Sequence, residues 1–510
     1  MQVYPTTLCE LVCGVARYDG AKPALIFADQ PISYADLDMR IECAANSLAL
    51  RGVVHGDRVA LLIPNMPEFV VAYYAVLRCG GIAVPVNALY KAEEIAYILQ
   101  DSEAKALILY AGFAAQGITG IAKAHLASQS IIIGDAAPEG ATSWESLIDA
   151  SSPARAPARV SPGDIATICY TAGTTGRSKG AILTHRNLIA NCEQMDRTAR
   201  GGAKNSDRSL LALPLFHVYA MNCVMNYCLR AGATIILVPR FDPLPALEQI
   251  QKHRCTYFHG APPMYVAWVN TPALGDYDLS SLCAAFSAAA PLPVQVMNRF
   301  RVLTGVEIVE GYGLTEASPV THSNWAGVVT KAGTVGPPLP GVEVRLVDDG
   351  GRDVAPGAPG EIICRGENIT IGYWRNPEAT REALRDSWLY TGDIATIDED
   401  GYYRIVDRKK DMINAGGFKV WPREVEEVLF THPAVREAAV VAIPDPYSGE
   451  RPMAYIALKE GQTATEEALI TYCKEHLATF KVPCLIKFRD ELPKLSTGKV
   501  LRRVLRDETR

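Results

Sequence analysis

The chain has 510 residues, two to three times the ~100–200 of a single domain, so more than one core is expected. Hydrophobic residues make up 49% and charged residues 21%, which excludes a disordered, collagen-like or low-complexity chain. The formal net charge of −6 argues against a nucleic-acid partner but not against a nucleotide ligand, because local basic clusters still hold phosphates.

In chain order, the first 130 residues alternate strand and helix patterns. Strand-like runs Arg58 to Ile63 and Ile82 to Val86 flank an apolar helix, Glu68 to Leu77, which Pro67 opens and Gly80-Gly81 closes. A charged helix (Lys91 to Gln100) and a strand (Ala106 to Tyr110) follow. Short links between such elements predict a parallel sheet covered by helices. Residues 136–163 are rich in Pro, Ala, Ser and Gly and read as a surface connection. The pattern resumes with a strand at 208–214, an apolar helix at 220–229, a strand at 233–239 and a helix at 245–253. From about 333, Gly/Pro-rich turns bracket short strands and suggest a β-rich subdomain. The last hundred residues carry an α+β pattern: helix 423–430, strands 436–443 and 453–459, helix 464–478 and strand 484–488. The fold class expected is α/β: a large N-terminal domain of helix-covered sheets with a β-rich subdomain (1–407), plus a small mobile α+β C-terminal domain (408–510).

Thirteen cysteines fall mostly inside apolar runs, without a C-x-x-C pair, and read as buried free thiols in a reducing compartment. Residues 1–20 lack a basic segment ahead of an apolar stretch, and Phe69 to Leu77 is far short of a membrane span. No signal peptide, no integral membrane segment and a cytoplasmic location are therefore expected.

Four segments carry chemistry. Tyr170 to Gly180 follows a strand with three glycines, several hydroxyl residues and Lys179, which suits wrapping an anion; a Gly/Thr-rich surface turn is the alternative. It departs from a Walker A loop, since Ser178 stands where glycine is required and Gly180 follows Lys179. In Gly311-Tyr312-Gly313-Leu314-Thr315-Glu316, an aromatic between glycines can lie against a nucleobase and Glu316 suits magnesium; a tight turn with an exposed Glu fits equally. Asp393 in Tyr390-Thr391-Gly392-Asp393, with Arg408 beyond it, could hold ribose hydroxyls or be a capping Asp and a surface Arg. Lys499 follows Ser496-Thr497-Gly498 near the end of the chain, where lysines are usually solvated.

In this order the four segments resemble the adenylate-forming enzymes: acyl- and aryl-CoA synthetases, luciferases and peptide-synthetase adenylation domains. Leu213 to His217, Ser287 to Leu292, Asp407 to Ile413 and Gly416 to Glu426 extend the likeness over essentially the whole chain, the last resembling the acyl-CoA synthetase version. The resemblance implies an AMP-forming acid–thiol ligase using ATP, Mg2+ and coenzyme A. Thr171, Gly173, Thr174, Thr175, Gly176 and Lys179 would hold the β/γ-phosphates. Glu316, with Thr171, would bind the metal, and Thr315 would lie near the α-phosphate. Gly311, Tyr312 and Ala288-Ala289-Ala290 would flank adenine, while Asp393 and Arg408 would hold the ribose. Lys499 would bridge carboxylate and α-phosphate, Lys410 would be the hinge of the C-terminal domain, and Gly416-Gly417 would line the thiol's approach. His217 would stand at the acyl site. Candidate pocket residues are Tyr219, Ala220, Asn222, Cys223, His259, Gly260, Ala261, Ala288, Gly311, Tyr312 and Gly313. Small or apolar walls without Arg or Lys favour a hydrophobic acid, with a medium- or long-chain fatty acid placed ahead of an aryl acid. Transfer to an amine or carrier protein is the other reading. Monomer and homodimer are both open.

Overall fold

A computed structural model describes residues 5–125, 129–134, 141–148, 158–171, 178–494 and 500–508. Seven strands form the first sheet, in the order Thr142–Ser143, Gln129–Ile133, Ala106–Tyr110, Arg58–Leu62, Ile82–Pro85, Ile165–Thr171, Lys179–Thr184. Every pair is parallel except the last, which is a hairpin. Helix Pro67–Arg78 makes the crossover between two central strands, and ten of its residues are buried. Pro67 sits where its missing N–H costs nothing, and Gly80, at φ +80°, turns the chain out of the helix.

Eight strands form the second sheet: Val320–Ser323, Ile308–Gly313, Ala284–Ser287, Tyr257–Gly260, Arg208–Leu211, Thr234–Leu237, Pro23–Phe27, Gln30–Ser33. It is parallel through the middle and antiparallel at both ends. The helix Pro67–Arg78 lies in a core shared by both sheets. Tyr73 OH meets Thr167 Oγ1 of the first sheet at 3.2 Å, and Tyr74 OH donates to Asn226 Oδ1 at 2.7 Å. Buried phenols need such partners, so these bonds also fix how the layers sit.

The β-rich part expected after residue 333 is an antiparallel sheet of Glu343–Val347, Gly360–Arg365, Leu384–Arg385, Trp388–Ile397 and Tyr403–Arg408. Beyond it, Ile413–Ala415, Phe418–Val420, Val435–Asp445, Gly449–Leu458 and Ile486–Phe488 form a further sheet, covered by helices Pro422–Thr431 and Glu466–His476 around a core of its own. All thirteen cysteines are free; eight are buried and Cys283 alone is exposed. Among the described residues no helix is long and apolar enough to cross a membrane.

Two expectations need correction. The apolar run at 220–229 is not one α-helix: Tyr219–Asn226 is π-helical and runs into the α-helix Tyr227–Ala231. All eight π-helical residues are buried, and Asn222 Nδ2 donates to Leu188 O and Ser318 O, while Asn226 Nδ2 donates to Asn222 Oδ1. Amide side chains anchored inside the protein hold the wider winding, which apolar periodicity does not register. The 136–163 segment is more than a surface connection, for its described part adds an edge strand (Thr142–Ser143) and a short helix (Glu145–Ile148) that bury Trp144 and Leu147.

Gly313 ends its strand against Pro319: a Cβ there would lie 1.9 Å from the Pro319 carbonyl oxygen. Backbone cannot yield cheaply at that distance, so Gly313→Ala is expected to cost about 3 kcal/mol or more. Its thermal unfolding midpoint, compared with that of the parent, checks this.

Candidate active site

The C-terminal ends of the parallel strands, where α/β sheets place their ligands, open into one cavity of about 2470 Å³. It exceeds the ~300–1,000 Å³ of common ligand pockets and has room for a nucleotide beside a second molecule. Ala288-Ala289-Ala290, Gly311 to Glu316, Asp393, Arg408, Lys410, Thr171, Lys179, His217 and Tyr219 all line it.

One cluster is built on the strand ends. Tyr312 OH donates to Asp393 Oδ2 at 2.6 Å, and Arg408 Nε approaches Asp393 Oδ1 at 3.2 Å. Asp393 and Arg408 face each other in register on neighbouring strands, so sheet pairing alone brings these residues together. Burial pushes the Tyr312 phenol well up, with Asp393 beside it adding to the effect, so Tyr312 remains a donor. Ala289, also on the cavity lining, has a φ of +75°, which is strained for a residue with a side chain.

A second cluster surrounds Glu316, on a single 3₁₀ turn (Thr315–Ala317). Tyr373 OH donates to Glu316 Oε1 at 2.6 Å, and Lys179 Nζ lies 5.6 Å from the Tyr373 ring centroid, within cation–π range. Thr171 and Lys179 pair across the hairpin, with Thr171 Oγ1 3.4 Å from Lys179 O. Gly173, Thr174, Thr175 and Gly176, expected to hold phosphates, lie outside the described residues, as does Lys499. Lys494 and Val500, which flank the Lys499 segment, line the cavity.

His217 is half-buried, and its Nδ1 accepts from Tyr219 N at 3.2 Å. Tyr219 and Cys223, one turn apart, line the cavity. Ala220 and Asn222 do not, because they point to the core side of the same π-helical turn. Gly260 and Ala261 are likewise buried away from the cavity. Gly416 and Gly417 form the turn between Ile413–Ala415 and Phe418–Val420 and are not among the lining residues; in this arrangement the 500–506 segment faces the cavity instead. Lys410 sits on the 3₁₀ turn Lys409–Asp411, and burial, with Arg408 adding, lowers its ammonium to about 8.

Sequence reasoning missed Tyr373, Glu310, Trp325 and the partners of Asp407. Asp407 accepts from Arg502 (2.7 Å) and from the backbone N–H of Arg423 and Arg408 (2.8 Å each), while Arg502 also forks onto Glu426. Apart from the adjacent Arg408, none had a local signal: Tyr373 and Glu316 are 57 residues apart and Arg502 and Asp407 are 95 apart. For a metal, Glu316 is a single carboxylate beside a Lys and a Thr. That donor set suits Mg2+ carried mainly by phosphates.

Residues 14–374 match the AMP-binding enzyme family, and 424–499 match the AMP-binding enzyme C-terminal domain. The chain belongs to that family. It is 39% identical to a long-chain-fatty-acid–CoA ligase of Bacillus subtilis (strain 168) over 96% of this chain and 92% of that one. It is 37% identical to a feruloyl-CoA synthase of an Amycolatopsis species, over 96% of each. Among solved structures it superposes on an anthranilate CoA ligase in complex with anthranoyl-AMP with a TM-score of 0.93 at 31% identity, covering 100% of this chain and 98% of that one. A benzoate CoA ligase from Burkholderia xenovorans LB400 gives 0.89 at 30%, covering 98% and 99%.

Glu310 generates a pH prediction. It is 5% exposed; Oε1 accepts from Leu292 N at 3.2 Å, Oε2 has no partner, and burial pushes the carboxyl up from 4.5 to about 7. The folded state therefore holds this proton more tightly than the unfolded chain. The stabilisation is complete below about 4.5 and is lost as pH rises through about 7, amounting to roughly 3 kcal/mol. Buried His185, His259 and His322, lowered to about 4, 4 and 3, act in the opposite direction over an overlapping range. The difference between parent and Glu310→Gln isolates the carboxyl. The parent's thermal midpoint should fall relative to the variant's between pH 5 and about 7.

Proposed function

We propose that this AMP-binding enzyme is an AMP-forming ligase that joins a hydrophobic carboxylic acid to coenzyme A. The observation that carries the reading is the convergence of Tyr312–Asp393–Arg408 and Glu316–Tyr373–Lys179 on one cavity. That pairs a hydrogen-bonding, ring-bearing nucleoside cradle with an oxygen donor and a cation suited to a metal-bound triphosphate.

In the first step a carboxylate oxygen bonds to the α-phosphorus of ATP, the bond to the bridging oxygen breaks, and pyrophosphate leaves. The carboxylate is already a nucleophile at neutral pH, so no base is required. What the chain must supply is relief of charge between an anion and a polyanion. Asp393 and Arg408 orient the ribose, Tyr312 and Ala288-Ala289-Ala290 enclose the base, and Lys179 with Thr171, Thr174 and Thr175 takes the distal phosphates. Gly173 and Gly176 let that backbone close on them. Thr315 stands toward the α-phosphate, Mg2+ bound at Glu316 would offset phosphate charge, and Lys499 bridges carboxylate and α-phosphate. In the second step the coenzyme A sulfur bonds to the acyl carbon, the carbon–oxygen bond to AMP breaks, and the thiol proton passes to solvent. Reorientation of the 408–510 domain about Lys410 would withdraw Lys499 and bring Gly416-Gly417 to the pantetheine arm.

The Bacillus relative supports a long-chain fatty acid. A specific observation favours an aryl acid as the second reading: beyond His217 the cavity is walled by Tyr219, Tyr257, His259, Phe286 and Trp325. Free thiols and the lack of a membrane-crossing helix among the described residues support a reducing, cytoplasmic setting.

Purified protein with ATP, Mg2+ and a panel of fatty and aryl acids should release pyrophosphate, and sustained AMP formation should require coenzyme A. Lys499→Ala should lower the first step by about 10²–10³. Tyr373→Phe, which frees the Glu316 carboxylate, should raise the Mg2+ needed for half-maximal rate by about tenfold. Pyrophosphate release that ignores the acid would overturn the reading.

A further inference from the structure

The last helix, Arg502–Asp507, grips the chain on both sides of Lys410. Arg502 Nη1 donates to Asp407 Oδ1 at 2.7 Å, and Arg506 Nη2, one helical turn on, donates to Asp411 Oδ1 at 2.7 Å. Asp407 stands before Lys410 on the strand Tyr403–Arg408 of the β-rich sheet, and Asp411 follows Lys410 directly. Arg502 also faces the other way: its Nε and Nη2 fork onto Glu426 at 3.1 and 2.6 Å, on the helix Pro422–Thr431 that covers the separate C-terminal core. The last helix itself is fastened to the C-terminal sheet, where Leu505 is buried and its carbonyl accepts from Tyr455 OH at 3.2 Å.

The helix begins where the chain leaves an antiparallel neck. Lys494 bridges Val500 there, and Leu501 N donates to Pro493 O at 2.8 Å. Lys494, Val500, Arg502 and Arg506 all line the cavity, so the grip of the helix on Asp407 and Asp411 fixes where the neck meets it. A buried ion pair adds little net stability but is exacting about arrangement, because both charges are satisfied in one geometry only. An arginine needed solely within the C-terminal part would stop at Glu426. Arg502 has a carboxylate in each part, so parting from Asp407 leaves it paired with Glu426 and strands no guanidinium.

We propose that Arg502 is a positioning residue for the first half-reaction: its bond to Asp407 holds the neck at the cavity during adenylation and opens for transfer to coenzyme A. The proposal rests on the acid–coenzyme A ligase reading above and names what holds one of its two arrangements. Lys499 adjoins Val500 in sequence, and a reacting group misplaced by about 1 Å can lose about 10²-fold in rate.

The test separates the two steps in the full-length enzyme. The first is read as acid-dependent exchange of pyrophosphate into ATP without coenzyme A. The second is read as thioester formation from coenzyme A and preformed acyl-adenylate, using the acid that the parent adenylates fastest. Arg502→Lys keeps the charge but cannot fork onto two carboxylates. Asp407→Asn keeps an oxygen for the Arg408 N–H and leaves Arg502 on Glu426. Each should slow exchange by about 10–10²-fold while thioester formation stays within about twofold of the parent or rises. The double variant should lose no more than the worse single one, as for two residues acting through one bond. Equal losses in both steps, unchanged exchange, or losses that multiply in the double variant would overturn the proposal and leave the ligase reading intact. Should Asp407→Asn fail to fold, the step-by-step comparison of Arg502→Lys decides alone. A parent that exchanges pyrophosphate with no acid and forms no thioester would instead overturn the ligase reading itself.

Discussion

Asp407 is the carboxylate on which the geometry of the site depends. Its side chain is 4% exposed, and a charge so buried is tolerable only when paired and hydrogen-bonded on both oxygens. Asp407 meets that demand with a guanidinium from the last helix and two backbone N–H groups, one opening helix Pro422–Thr431 and one on Arg408. Three segments distant in sequence are thereby referred to one strand end. Because Arg408 also pairs with Asp393, the Tyr312–Asp393–Arg408 cluster and the seating of the C-terminal helices share a single anchor. Glu426 holds Arg502 through two further bonds within the C-terminal part, so this arginine keeps a charge partner that does not depend on Asp407.

The same economy of partners explains the core. The two large sheets meet across Pro67–Arg78, a helix with little polar surface of its own, and the two phenols it carries into the layer are each hydrogen-bonded. Tyr74, Asn226 and Asn222 form a chain that ends on backbone carbonyls at Leu188 and Ser318, while Tyr73 pairs with Thr167.

Much of the fold was legible because its signals are local. Pro67 and Gly80 mark their helix, Ala106–Tyr110 is an uninterrupted apolar strand, and the glycine–hydroxyl–lysine and Gly-Tyr-Gly segments carry their chemistry in adjacent residues. The Asp393–Arg408 pair was legible as residue types, although only sheet register joins the two. What stayed hidden is non-local or depends on winding. Strand Pro23–Phe27 joins the second sheet beside Thr234–Leu237, across some two hundred residues that no period reveals. The π-helical turn kept Tyr219 and Cys223 at the cavity wall but left Ala220 and Asn222 off it, and Tyr373 became a site residue through a single long-range hydrogen bond.

The cysteine distribution has a practical corollary. Burial drives most of the interior thiols toward or beyond a pKa of about 12, as at Cys169, Cys192, Cys228, Cys255 and Cys364, and so keeps them protonated and shielded from alkylating reagents. Cys283 is the exposed exception, on the turn just ahead of strand Ala284–Ser287. A maleimide dye offered to the folded, unmodified enzyme thus meets Cys283 first, ahead of the half-buried Cys9, Cys13, Cys43 and Cys484. A second label introduced beyond residue 408 would make the molecule its own spectroscopic ruler for movement of the C-terminal part, with the native thiols left in place.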